Sequence, residues 1–85
     1  MKNKISTLRK EINKIDNRIF ALFVKRFKIT KKIMKEKNKL NIPRTDLRRE
    51  NEIISNKIKR FGNLDKKFIE NIYRIIFKKS KGISC

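Results

Sequence analysis

The chain has 85 residues, enough for one small domain over 1–85 and no more. Lys and Arg number 26 against 8 Asp and Glu, with no histidine and one cysteine, giving a formal net charge of +18. This composition excludes an internal disulfide and any histidine-based metal set. The most apolar stretch, residues 19–24, is bounded by Arg18 and Lys25 and is too short to span a bilayer.

The N-terminus lacks an apolar core followed by small residues, so a soluble cytoplasmic protein is expected. The charge suits a polyanion such as nucleic acid, or an acidic membrane surface. The joint abundance of Lys, Asn and Ile also suits a coding bias with a solvated, lysine-rich exterior.

The first predicted helix covers residues 5–39 and contains neither Gly nor Pro. Ile5, Ile12, Ile19, Arg26, Ile33 and Leu40 share one heptad position, and Leu8, Ile15, Leu22 and Ile29 the other. Arg26 interrupts the apolar seam. A buried guanidinium is costly unless paired, so an anion is expected to meet it. A helix of about 35 residues is roughly 50 Å long. That exceeds the width of a compact domain of this size, whose radius of gyration is about 12 Å. One chain cannot cover such a helix, and a twofold dimer is the expected remedy.

Asn41, Ile42 and Pro43 end that helix, because proline lacks an N–H and pushes the preceding residue out of helical geometry. Asp46 is the expected N-cap of the second helix. Leu47, Ile54, Ile58 and Phe61 form its apolar face, and Gly62-Asn63 ends it as a left-handed cap. Asp65 caps the third helix, whose apolar residues are Phe68, Ile69, Ile72, Ile75, Ile76 and Ile83. The expected fold is all-α: one long helix and two shorter ones, with no repeat and no second domain.

Several charged residues share faces with apolar neighbours. Arg9, Phe23 and Lys37 occupy one heptad position beside the seam, and Glu50 points with Leu47 and Ile54. Ser80 follows Ile76 by four residues, and Ser84 follows Ser80 by four. A pocket lined by Arg26, Lys37, Arg49, Glu50 and Ser80 would be cationic and would suit a small carboxylate compound, since arginine grips carboxylates with a planar fork. Taken singly, these residues have plainer readings. Arg26 could snorkel or pair with an acid on another helix. Lys37 could be a surface lysine, Glu50 could compensate a helix dipole, and Asp16 reads as structural through a local ion pair.

The ordered series resembles the all-helical class of chorismate mutases. Residues 8–16, LRKEINKID, are similar to that family's opening LRxxIxxID pattern. Arg26 and then Lys37 follow at the family's separations, and Asp46-Leu47-Arg48-Arg49-Glu50 matches its DxxRE motif. Ser80 completes a likeness that runs from residue 8 to residue 80.

The resemblance implies an intertwined homodimer with two equivalent sites, no cofactor and no metal. It implies that chorismate is rearranged to prephenate in phenylalanine and tyrosine biosynthesis. Arg26 and a partner subunit's Arg9 would hold the two carboxylates. Lys37 would contact a carboxylate and the ether oxygen. Glu50, helped by the Asp46 backbone, would accept a hydrogen bond from the ring hydroxyl. Arg49 would support the substrate and Glu50, and Ser80 would assist a carboxylate. Ser84 stands where the family usually has Gln or Glu as a second donor to the ether oxygen. Lys81 stands where a small apolar residue is common, and Met34 where Gly or Ala is common. An isochorismate-pyruvate lyase on the same scaffold is the near alternative. A basic helical nucleic-acid-binding protein is the alternative of another class, although no recognised nucleic-acid-binding motif occurs.

Overall fold

The structure, a computed structural model, describes residues 3–83. Three helices follow in order: α1 (Lys4–Lys39), α2 (Leu47–Arg60) and α3 (Lys66–Lys81), with no strand among the described residues. Each begins at a side-chain cap that satisfies an otherwise orphaned N–H. Asn3 Oδ1 accepts from the Ser6 N–H at 2.8 Å, Asp46 Oδ1 from Arg49 at 3.1 Å and Asp65 Oδ2 from Phe68 at 3.0 Å.

The left-handed cap lies at the end of α1 rather than α2. Asn41 has φ 56, while no described glycine has a positive φ. The Ile42 N–H reaches back to the Lys37 carbonyl at 2.8 Å, and the Asn41 N–H to Asn38 at 3.4 Å. This double return is a Schellman motif, and asparagine tolerates its left-handed residue. It corrects the expectation for Gly62-Asn63: α2 closes through Phe61, whose N–H bonds the Lys57 carbonyl at 2.9 Å.

Ile83 lies beyond α3, which ends at Lys81 with Gly82 as its cap. Leu47 and Phe61, read as part of the apolar face of α2, are exposed; Leu47 is the first residue of the helix and Phe61 its C-cap. Asp16 makes no ion pair among the described residues. Its helical neighbours Ile12, Asn13, Ile19 and Phe20 carry no charge, so no local cation is in reach.

The helix α3 packs against both α1 and α2. Met34, Ile69 and Ile76 are the buried apolar residues, joined by the polar Thr30 and Ser80. All five lie in the C-terminal half of α1 or on α3. The other half of α1 projects away from them, and residues 3–22 are exposed throughout. The chain measures 61 × 27 × 16 Å, and its radius of gyration is 16.8 Å. Most of the heptad seam faces outward: Ile12 is 54% exposed and Ile15 57%. Phe20, Phe23 and Phe27 form a second apolar strip on α1, with ring centroids 6.0 and 6.2 Å apart.

Candidate active site

The half of α1 that the other helices do cover carries the charged interruption of the seam. Arg26, Thr30, Met34 and Lys37 follow one another at four, four and three residues, which aligns them along one helical face. The N-cap and first turn of α2 contribute Asp46, Arg49 and Glu50, and the last turns of α3 contribute Phe77, Ser80 and Lys81. Together with Arg44 of the α1–α2 loop they enclose a hollow of about 320 Å³, at the small end of ligand-pocket sizes.

Polar contacts fix the orientation of its cations. Ser80 Oγ donates to the Ile76 carbonyl at 2.8 Å. With its one proton committed, the hydroxyl oxygen accepts from Arg26 Nη1 at 3.5 Å. Thr30 Oγ1 donates to the Arg26 carbonyl at 3.0 Å, so a second buried hydroxyl braces the same turn of α1. Lys37 Nζ donates to the Arg44 carbonyl at 3.2 Å. An ammonium has three donors, so two remain for a ligand. The Arg44 side chain donates from Nη2 to the Ile83 carbonyl, tying the loop to the segment after α3.

The electrostatics are one-sided. Arg26, Lys37, Arg44, Arg49 and Lys81 line the hollow against two carboxylates, Asp46 and Glu50. Asp46 is engaged as a helix cap, and Glu50 pairs with Lys81 at 3.1 Å. No acid of the described residues pairs with Arg26, which is half-buried. Burial also pushes the phenol of Tyr73 up, partly offset by the nearby Arg26 charge, so Tyr73 stays neutral. Such a hollow can clamp a compact polyanion and stabilise negative charge that develops within it.

Six residues singled out in the sequence thus meet here: Arg26, Lys37, Asp46, Arg49, Glu50 and Ser80. Arg9 does not join them; it is exposed on the projecting half of α1. Ser84 lies outside the described residues. Arg44 and Thr30 were not anticipated. Thr30 is signalled by its spacing of four from Arg26, whereas Arg44 sits in a loop where periodicity gives no guide.

Three helices around a cationic, half-enclosed hollow define an all-helical protein built to take a small anionic ligand. Comparison with known proteins makes the class specific. The family "Chorismate mutase type II" matches residues 8–84. The chain is similar to the chorismate mutase of Methanocaldococcus jannaschii, with 32% identity over 85 residues, covering 98% of this chain and 86% of the relative. It is also similar to the bifunctional chorismate mutase/prephenate dehydratase of Buchnera aphidicola subsp. Schizaphis graminum, with 35% identity over 82 residues. That match covers 93% of this chain and 21% of the larger protein. No solved structure gave a significant match. The chain belongs to the type II chorismate mutases, a family of isomerases.

Proposed function

We propose that this protein acts as a dimeric chorismate mutase serving phenylalanine and tyrosine biosynthesis. The observation that carries the reading is the shared hollow of Arg26, Lys37, Arg49, Glu50 and Ser80, in which Arg26 has no carboxylate partner among the described residues.

The rearrangement of chorismate to prephenate is intramolecular. The ether C–O bond breaks as a C–C bond forms between the enolpyruvyl methylene and the ring. No proton, electron or nucleophile is exchanged with the protein. The enzyme's work is to hold the enolpyruvyl arm over the ring and to stabilise charge gathering on the ether oxygen. A millionfold acceleration requires about 8 kcal/mol. Arg26, oriented by Ser80, grips one carboxylate. Lys37 directs its remaining donors to a carboxylate and the ether oxygen. One such donor is worth about 3–4 kcal/mol, by analogy with oxyanion holes, and orientation supplies most of the rest. Glu50 accepts from the ring hydroxyl beside the Asp46 backbone, and Arg49 steadies both substrate and Glu50.

The second carboxylate falls to Arg9 of the partner subunit. The exposed seam supports this part of the reading. Ile5, Leu8, Ile12, Ile15 and Ile19 form an uncovered stripe along the half of α1 that carries Arg9. A second copy laid against it buries the stripe and brings one Arg9 toward each hollow. Ser84 would supply a further hydrogen bond to the ether oxygen.

The direct test follows chorismate by loss of its diene absorbance, with prephenate identified as the product. Conversion by the folded dimer is expected. No conversion at high enzyme concentration overturns the proposal. Pyruvate release from isochorismate, without prephenate from chorismate, would reassign the protein as a lyase. Tight, steeply salt-dependent nucleic-acid binding without turnover would move it to another class.

A further inference from the structure

We propose that Lys81 is a positioning residue for this reaction: its ammonium holds the Glu50 carboxylate at the edge of the hollow, facing the substrate's ring hydroxyl. The inference rests on the reading of the hollow as a chorismate site and gives Glu50 the partner that keeps it there.

Three ion pairs occur among the described residues. Lys39–Glu36 and Arg48–Glu52 each link neighbouring turns of one helix and are largely exposed. Lys81–Glu50 alone joins two helices, α3 and α2. Lys81 Nζ lies 3.1 Å from Glu50 Oε2 and 3.4 Å from Oε1, so one ammonium engages both oxygens. The Glu50 side chain is 19% exposed and that of Lys81 38%. At such exposure the pair adds little to stability, and its consequence is where it keeps the carboxylate.

That placement matters because Glu50 has somewhere else to go. Glu50, Phe77 and Lys81 form the partition between the substrate hollow and a second hollow of about 390 Å³. The second hollow is lined further by Ile54, Glu70, Arg74 and Lys78, so Glu50 would meet both cations and another carboxylate there. Without the Lys81 ammonium, the Glu50 side chain loses the one contact between helices that fixes it on the boundary of the two hollows. Lys81 thus acts on the reaction through Glu50, with no need to touch chorismate itself.

The test is a double-mutant cycle with chorismate as substrate, using Lys81→Met, Glu50→Gln and the combined variant, with Lys81→Arg as the conservative control. A hydrogen bond present in both ground and transition states reports mainly in KM. Lys81→Met is expected to raise KM about tenfold with kcat near that of the unsubstituted enzyme. Lys81→Arg restores KM, and Lys81→Met added to Glu50→Gln changes nothing more. Circular dichroism and sedimentation confirm that each variant stays folded and associated. An unchanged KM in folded Lys81→Met overturns the proposal while the mutase reading stands. Equal losses with and without Glu50 also overturn it, because Lys81 then contacts substrate directly. An unsubstituted enzyme that makes no prephenate overturns the parent reading, and this one with it.

Discussion

Arg26 and Ser80 meet across 54 positions of sequence, the guanidinium donating to the hydroxyl oxygen at 3.5 Å. The serine proton goes to the Ile76 carbonyl, so the contact runs one way and aims the arginine without neutralising it. An arginine in an apolar seam, held by a hydroxyl and unmatched by an acid of the described residues, keeps its charge available to a ligand.

Replacement of the two α1 cations should separate binding from chemistry. In the proposed mechanism Arg26→Ala removes a charge-assisted clamp, and it is expected to lower kcat/KM by about 10–100-fold. Arg26→Lys rescues it poorly, because a point charge lacks the planar fork. Lys37→Ala should lower kcat by about 100–1,000-fold, as loss of an oxyanion donor does. Steady-state kinetics on the folded variants checks both, and near-normal turnover in either contradicts its role.

The seam carries the prediction about assembly. A stripe with Ile15 57% exposed and Ile12 54% exposed is covered when two copies associate, so the thermal midpoint should rise with protein concentration. Ile15→Asp puts a charge in the proposed contact and should abolish dimerisation in sedimentation equilibrium. A concentration-independent midpoint with a monomeric mass contradicts the shared site.

Asn41 tests the turn between α1 and α2. Its φ of 56 costs a residue with an ordinary side chain about 1–2 kcal/mol. Asn41→Ala should therefore destabilise by about that amount in denaturant unfolding, while Asn41→Gly stays close to the parent. Because this turn leads into Arg44, whose carbonyl receives Lys37, Asn41→Ala should also raise KM.

Much of this arrangement was legible before any coordinates. Proline, the Asp caps and the heptad rhythm set the helix limits to within a residue or two, since each acts through local geometry. Spacing gave the helical faces of Arg26, Lys37, Glu50 and Ser80, each a local property, and the family resemblance grouped the six residues that line one hollow. What escaped depends on packing between elements. Arg44 enters the hollow because the Schellman turn at Asn41 redirects the loop. Glycine at 62 suggested a left-handed cap, yet Phe61 closes α2 with negative φ. Ile83 shares the spacing of the α3 face, but Gly82 stops the helix before it.

Charge supplies a prediction about salt. With five cationic side chains facing two acids in the hollow and a net charge of +18, a dianionic substrate is drawn from a distance. Raising ionic strength from about 0.01 M to about 1 M shortens the screening length from about 30 Å to about 3 Å. KM should rise severalfold while kcat changes little. A salt-independent KM would show that the field plays no part in capture.

The most direct measurement is chorismate turnover by an equal mixture of Arg9→Ala and Lys37→Ala subunits, exchanged to equilibrium. In the proposed dimer each parent lacks one of the two cations at both sites. Half of the mixed population pairs unlike subunits, and each such dimer regains one intact site, so the mixture should recover about a quarter of the unsubstituted activity. A mixture no more active than its parents would contradict a site assembled from two chains.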